Sequence, residues 1–257
     1  MAGKKHVVMF SGGIGSWATG KRVAEAHGTK NLILLFADTL IEDEDLYRFL
    51  GEAASNIGGE LIKVAEGRDP WQVFRDERFI GNSRADPCSK ILKRRFLRSW
   101  LEENCEPKNT IVYLGIDWSE IHRFESAQEH WVPWECVAPM CDPPYRMKQE
   151  MLDDLRADGI APPRRYDLGF PHNNGGGFFS KAGQAHFKLL LEVMPERFAY
   201  HERKEQELAA YLGKDVAILR DRRGGQTRPL TLKALRERVE CGGAIDEHDW
   251  GGCGCVA

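Results

Sequence analysis

The chain has 257 residues, of which 36 are Lys or Arg and 39 are Asp or Glu, so its formal charge is −3. This balance excludes a generic polycation, and no apolar run approaches the roughly 18 residues that a membrane span needs. The 42% hydrophobic share supports a sizeable core and argues against disorder. At roughly 150 residues per domain, the length indicates one large domain or one domain with an appendage.

The first half of the chain alternates strand and helix signals. Short apolar runs predict buried strands, and amphipathic stretches between them predict helices. The predicted strands are 6–10, 32–37, 60–64 and 110–115, and the predicted helices are 16–27, 43–57 and 87–103. This alternation predicts an α/β fold in which helices cover both faces of a parallel twisted sheet, with right-handed crossovers.

The second half is punctuated by prolines and reads as mainly helical. The predicted elements are helices at 145–157, 181–193, 196–212 and 231–239, and a strand at 216–219. We therefore divide the chain into an α/β domain, 1–135, a helical and Gly-rich elaboration packed on the sheet, 136–240, and a Cys-rich tail, 241–257.

A glycine-rich turn follows the first strand and precedes the first helix. It comprises Ser11, Gly12, Gly13, Ile14, Gly15 and Ser16. In this context backbone N–H groups converge on an anion, and the helix dipole favours negative charge. No Lys completes a G-x-x-x-x-G-K-[ST] loop, and the spacing is not G-x-G-x-x-G. The turn predicts phosphate binding, and the alternative is a tight turn that needs glycine.

This strand, Ser-Gly-Gly-x-x-Ser and helix arrangement resembles the PP-loop signature of the adenine nucleotide alpha-hydrolase-like superfamily. That superfamily includes the N-type ATP pyrophosphatases and the phosphoadenylylsulfate (sulfonucleotide) reductases. The pyrophosphatases carry Asp where Gly15 stands, whereas the reductases often carry Gly. The resemblance therefore implies a Rossmann-like fold of the reductase-like branch and a nucleotide-binding role for the first domain.

Further segments match that branch in the same order, over about residues 6–126. The second strand ends at Asp38, which the resemblance places near the adenosine. The segment from Cys88 through Lys90 and Lys93 resembles the reductases' Cys-x-x-x-Lys segment, and Gly115 and Arg123 resemble their strand, Gly and Arg-x-x-Glu-Ser loop. The resemblance thus implies that Asp38 and Gly115 belong to the nucleotide site.

Basic residues supply the charge that polyphosphate chemistry needs, because catalysis there consists of positioning and electrostatic stabilisation. We predict this catalytic role for Lys90, Lys93 and Arg123, and the alternative for the helix after Cys88 is a solvated basic face. We expect Mg²⁺ with the nucleotide, with Asp38 or Asp117 as its candidate ligand. The acidic run 42–45 is interpreted as a solvated helix start.

The segment 169–177 carries a triple glycine, which indicates either a flexible loop or close approach to a ligand. It is similar to a segment of uncharacterised reductase-like proteins of phages and bacteria. We predict that His172, Asn173, Lys181 and Gln184 contact substrate or nucleotide. The alternative is a turn followed by a helix that Ser180 caps.

The seven cysteines divide into groups. No secretion signal precedes the first strand, so we expect a reducing, cytoplasmic location, which argues against a disulfide framework. Cys105 is predicted to lie in the core. Cys241, Cys253 and Cys255 are predicted ligands of a zinc ion or an iron–sulfur cluster, and the alternative is a mobile tail with free thiols.

Three functions remain open at this point. The first is a PP-loop enzyme that binds ATP or a related adenine nucleotide and adenylylates an acceptor with release of pyrophosphate, for sulfur or amine transfer in nucleic-acid or nucleobase modification. The second is a sulfonucleotide reductase with an external thiol reductant. Glu240-Cys241-Gly242 is similar to the reductases' C-terminal motif, which implies that Cys241 is the nucleophile. The third is a nucleotide-binding regulatory or defence module without turnover.

Overall fold

The structure is a computed structural model that describes residues 3–81, 87–173 and 175–252, and it confirms the predicted α/β class. Five parallel strands form one sheet in the order β3-β2-β1-β4-β5. The strands are β1 (Lys5–Met9), β2 (Leu32–Asp38), β3 (Glu60–Ala65), β4 (Thr110–Tyr113) and β5 (Glu135–Val137). The order reverses between β1 and β4, and open α/β sheets bind ligands at such a switch point.

Helices cover the sheet and build the second half of the chain. They are α1 (Ile14–His27), α2 (Glu44–Ile57), α3 (Pro70–Asp76), α4 (Phe96–Asn104), α5 (His122–Trp131), α6 (Lys148–Ala157), α7 (Arg164–Asp167), α8 (Gln184–Val193), α9 (Pro195–Leu212) and α10 (Leu232–Glu240). A two-stranded antiparallel ribbon is formed by β6 (Leu219–Asp221) and β7 (Arg228–Leu230). None of the helices described is long and apolar enough to cross a membrane.

Alternate residues of β1 enter the cores on opposite faces of the sheet, as the period of two in a strand requires. Val8 and Phe10 belong to the core beneath α1, α2 and α6. Val7 and Met9 belong to the core beneath α4 and α5. The buried strands are therefore apolar on both sides, which is why their sequences read as continuous hydrophobic runs.

The second half of the chain builds a third core of its own. Trp71 and Phe74 of α3 pack there with apolar side chains of α8, α9 and α10. Glu205 lies inside this region, where its two carboxylate oxygens accept backbone N–H groups from Ile218 at 2.8 Å and Leu232 at 2.6 Å. One buried side chain thus joins α9 to the ribbon and to α10.

Several predicted elements need correction. The helix predicted at 87–103 begins instead as a π-helical segment, Ser89–Arg95, which then continues as α4. The strand predicted at 216–219 begins only at its last residue. The strand β5 and the helix α3 were not predicted, because segments of three and seven residues carry little periodicity, and the ten-residue helix α5 was also missed.

The acidic run 42–45 begins a helix, as predicted, and its Glu44 and Asp45 are exposed and partly exposed, but the prediction that the run is solvated is wrong for Glu42 and Asp43. Glu42 and Asp43 are only 7% and 1% exposed. Glu42 accepts hydrogen bonds from Thr39 Oγ1 at 2.8 Å and from the backbone N–H of Gly175 at 2.7 Å. Asp43 caps α2 and pairs with Arg164 at 2.9 Å. Buried carboxylates need such donors, and these two carboxylates tie segment 164–175 to the sheet.

Candidate functional site

The glycine-rich turn presents an open helix N-terminus at the carboxyl end of β1. Gly12 has a φ of 75°, which favours glycine. Gly13 is the N-cap of α1, and α1 carries no side-chain cap and no acidic residue in its first turn. Ser16 Oγ donates back to the Gly13 carbonyl at 2.8 Å. The N-cap residue of α1 therefore supplies no acceptor to the first N–H groups of the helix, which is the arrangement found where a helix N-terminus binds an anion.

Two glycines allow the turn to lie directly against the end of β4. A Cβ atom on Gly15 would stand 3.0 Å from the Gly115 carbonyl oxygen, and one on Gly115 would stand 2.9 Å from the Ser16 nitrogen. Both neighbours are backbone atoms, which cannot rotate away. This contact gives a physical reason for the glycine at position 15.

A cavity of about 390 Å³ lies over this contact, at the switch point between β1 and β4, and we call it the nucleotide cavity. It brings together most of the predicted phosphate-loop residues with residues from later segments. The predicted residues that line it are Ser11, Gly13, Ile14, Gly15, Ser16, Gly115, Arg123, His172 and Asn173. Gly12 lies below them, with its carbonyl accepting from Asn173 Nδ2 at 3.0 Å.

The opposite wall contains residues that the sequence did not single out. Tyr166 of α7 accepts a hydrogen bond from the Ile14 N–H at 3.1 Å. Lys148 of α6 lies 4.5 Å from the centre of the Tyr166 ring and donates to the Pro171 carbonyl at 2.6 Å. Burial lowers the pKa of Lys148. A lone Tyr or Lys inside a helical segment carries no sequence signal that would have identified it.

Opposite charges are balanced inside the nucleotide cavity. Arg123 pairs with Glu120, and Asp117 Oδ1 accepts from the Ser119 backbone N–H at 2.8 Å. The pKa of His172 is lowered, first by burial and then by Lys148, so its imidazole is neutral at neutral pH. The cavity therefore offers cationic groups, a carboxylate and a neutral imidazole beside the phosphate loop.

Other predicted site residues lie outside the nucleotide cavity. Asp38 is the last residue of β2, and its carboxylate accepts hydrogen bonds from Tyr47 Oη at 2.9 Å and from the Leu40 N–H at 2.8 Å. Lys90 is exposed on the π-helical segment. Lys93 lines a separate cavity of about 40 Å³ together with Cys88. The structure thus separates Asp38, Lys90 and Lys93 from the phosphate loop.

No cysteine in the described part of the chain lines the nucleotide cavity, although Cys141 Sγ donates at 3.5 Å to the carbonyl of Ile116, which does line it. Cys105 is buried in the core, as predicted. Cys241 is exposed at the C-terminal end of α10. The predicted ligands Cys253 and Cys255 lie outside the described residues. Within the described residues, no group of three or more His, Cys, Asp or Glu side chains is arranged to hold a metal ion.

Segment 244–252 packs back onto the start of α8. The Ala185 N–H donates to the Asp249 carbonyl at 3.0 Å, and the Asp249 carboxylate accepts from the Gln184 N–H at 3.4 Å. Asp249 therefore caps α8, the role that the sequence offered for Ser180. The N-cap residue itself is Gly183, which has no side chain. Gln184 Nε2 donates to the Arg220 carbonyl at 3.1 Å, so its amide has a structural role.

No protein-family model matches the chain, and no curated protein matches it significantly.

Proposed function

We propose that the nucleotide cavity binds ATP or a related adenine nucleotide and that the protein adenylylates an acceptor with release of pyrophosphate. One observation carries this proposal. The N-terminus of α1, whose N-cap residue Gly13 has no side chain, lines a cavity at the sheet's switch point that Arg123 and Lys148 also line. Helix N-termini and cations together form the sites that enzymes use for phosphate groups.

The loop residues take the phosphates in this proposal. Backbone N–H groups of Gly13, Ile14 and Gly15 would donate to phosphate oxygens, with Ser11 and Ser16 beside them. The Tyr166 hydroxyl, which accepts the Ile14 N–H at 3.1 Å, would give way to a phosphate oxygen. A charged acceptor makes a stronger hydrogen bond than a neutral hydroxyl does, so the exchange favours nucleotide binding.

The proposed reaction is a displacement at the α-phosphorus of ATP. The acceptor nucleophile forms a bond to that phosphorus, the bond to the oxygen bridging to the β-phosphate breaks, and pyrophosphate leaves with the bond electrons. His172, neutral because burial lowers its pKa, would accept the proton that the acceptor loses. Arg123 and Lys148 would stabilise the charge that develops on the phosphates.

The residues present fit the Mg²⁺ that accompanies a nucleoside triphosphate. Mg²⁺ is commonly held by one or two carboxylates together with substrate phosphates, so a cluster of protein ligands is not required. Asp117 lines the nucleotide cavity and is the residue that would hold it. When bound, the ion neutralises phosphate charge and favours departure of pyrophosphate.

The position of Cys241 favours adenylylation over sulfonucleotide reduction. Reduction requires a thiolate at the nucleotide, and no cysteine in the described part of the chain lines the nucleotide cavity. The zinc ion or iron–sulfur cluster predicted at Cys241, Cys253 and Cys255, and the thiol reductant, play no part in the proposed reaction. A nucleic acid or a nucleobase remains the proposed acceptor of the adenylyl group.

The test combines binding with turnover. Calorimetry is expected to detect ATP binding without any acceptor, and pyrophosphate release from ATP is expected when single-stranded nucleic acid or free nucleotides are added. Arg123→Ala should slow that release by roughly 100-fold, whereas Arg203→Ala, on the exposed surface of α9, should leave it unchanged. Absence of ATP binding would overturn the proposal, and tight binding without any product would identify a regulatory module instead.

A further inference from the structure

Two more cavities continue from the nucleotide cavity towards the C-terminal segment. The first, about 260 Å³, shares Pro171 and His172 with the nucleotide cavity, and we call it the aromatic cavity. The second, about 340 Å³, shares Trp250 and Gly251 with the aromatic cavity, and we call it the basic cavity. The residues shared between their walls place the three cavities next to one another.

The aromatic cavity combines flat apolar walls with a few polar groups. Phe179 and the indole of Trp250 line it, and Trp250 is 41% exposed. Arg165 is almost fully buried beside it, with its guanidinium 4.2 Å from the centre of the Phe170 ring. Sites that bind planar ligands have this composition, because the rings supply contact area and the polar groups fix orientation.

Histidine supplies an acceptor in the wall of the aromatic cavity. His186 Nε2 lies 2.9 Å from the Gly177 carbonyl oxygen, which accepts only, so Nε2 carries a proton. Burial lowers the pKa of His186 to about 4, so the ring is neutral and its Nδ1 is an acceptor. Together with the Arg165 donors, this wall suits a heteroaromatic ring that carries donors and acceptors on its edge.

The basic cavity has an excess of positive charge. Its charged lining consists of Lys181, Arg220, Arg222 and Asp249, with His248 beside them. The Asp249 carboxylate faces the N-terminus of α8, where it accepts the first N–H of that helix at 3.4 Å. Lysine and arginine side chains grouped next to an aromatic surface are the usual recognition elements for a nucleotide unit with its phosphate.

We propose that the aromatic and basic cavities together form an acceptor site for a phosphorylated nucleoside, with the base between Phe179 and Trp250 and the phosphate at Lys181, Arg220 and Arg222. The assignment as acceptor rests on the proposed function, because His172 stands where the aromatic cavity meets the nucleotide cavity. The same chemistry is presented by a free mononucleotide and by one unit of a single-stranded nucleic acid.

The test is a titration of the full chain with the phosphate loop already filled. Saturating α,β-methylene-ATP occupies the nucleotide cavity, and its α–β bond resists cleavage. The probes are fluorescein-labelled 12-mers of single-stranded DNA and RNA, a 12-mer of abasic sites, and unlabelled nucleoside monophosphates, which are used as competitors and are also titrated alone by calorimetry. Binding of the 12-mers, of the monophosphates, or of both is the expected result, and it identifies the source of the unit. An abasic strand that binds as tightly as the others would overturn the proposal.

Two variants locate the binding. Trp250→Ala should weaken it by roughly 5- to 100-fold, as loss of one base stack does, whereas Tyr211→Ala removes an exposed aromatic ring that lines neither cavity and should have no effect. Arg222→Gln should reduce the slope of log affinity against log salt by roughly 0.7 for a single strand. The matched change Arg203→Gln should leave that slope unchanged.

The two proposals fail in different ways. A wild-type chain that binds no ATP overturns the proposed function. The acceptor site alone is overturned if the chain binds ATP but binds neither strand nor monophosphate. It is also overturned if Trp250→Ala and Arg222→Gln both leave the binding of strand and monophosphate unchanged. The test does not depend on the folding of Trp250→Ala alone, because Arg222 is exposed and its replacement does not disturb the core.

Discussion

The hydroxyl of Tyr166 accepts a hydrogen bond from the backbone N–H of Ile14 at 3.1 Å. The two residues are 152 positions apart, and the contact joins α7 to the first turn of α1. It satisfies an N–H group that a helix N-terminus leaves without an internal partner. The tyrosine therefore stands in the position that a phosphate oxygen would take.

Tyr166→Phe tests this relationship. Loss of the hydroxyl leaves the Ile14 N–H without its acceptor, so the free energy of unfolding should fall by about 1 kcal/mol. ATP should bind several-fold more tightly, because no hydroxyl has to be displaced. Thermal melting and calorimetry measure the two effects. Weaker ATP binding by the variant would contradict the account and would make the hydroxyl a ligand of the nucleotide.

Gly115→Ala tests the contact between β4 and the phosphate loop. The added methyl group would stand 2.9 Å from the Ser16 nitrogen, so the backbone must move, at a cost of about 1–3 kcal/mol in stability. ATP affinity should fall with it. Gly51 lies in α2 with open space around it, so Gly51→Ala should be neutral or stabilising by about 0.5–1 kcal/mol. Equal effects of the two changes on ATP binding would refute the role of this contact.

The pH dependence of turnover tests His172. Burial and Lys148 lower the pKa of His172 below 6.5, so the neutral form, which accepts the proton, persists into mildly acidic solution. The acid limb of kcat/KM for ATP should therefore lie below pH 6.5 and should vanish in His172→Ala. Lys148→Met should move the limb to higher pH, because it removes a nearby positive charge. An unchanged limb in His172→Ala would assign it to another group.

Glu205 gives a prediction for stability that does not involve the site. Burial raises the pKa of its carboxyl group from 4.5 to about 7. A raised pKa favours the protonated native state, so this contribution to stability is present below pH 4.5 and is lost as the pH rises to about 7. Relative to Glu205→Gln, the wild type should lose about 3 kcal/mol over that range. Urea unfolding at several pH values measures the difference, and a constant difference would contradict the assignment.

The sheet and the phosphate loop were predictable because both are local signals. Strands β1, β2 and β4 contain continuous apolar runs, and the loop's glycines closely follow the first of them. The parallel direction of the strands also follows from a general rule, since the helices between them make the crossovers that parallel strands require, whereas the strand order was not predicted. The wall of the nucleotide cavity that the phosphate loop forms was therefore predicted from the sequence alone.

The far wall of the nucleotide cavity was not predictable in the same way. Lys148 and Tyr166 reach the loop from α6 and α7, and only packing in three dimensions brings them there. Conversely, Lys90 and Lys93 have the right chemistry and the right family-like spacing, yet the π-helical segment places them elsewhere. Spacing along the chain does not determine which face a side chain occupies when the helix type changes.

The most direct test of the central claim is ATP binding by Gly13→Asp. Gly13 is an N-cap with φ −92° and ψ 162°, and a Cβ there would meet its nearest atoms at 3.6 Å. Aspartate is a good N-cap residue, so the free energy of unfolding should stay the same or rise by roughly a few tenths of a kcal/mol. Its carboxylate would stand where the phosphates bind, so calorimetry should find ATP affinity reduced by at least roughly 100-fold, with Gly13→Ser close to wild type. A stable Gly13→Asp protein that binds ATP as tightly as the wild type would contradict the claim that this loop holds the phosphates.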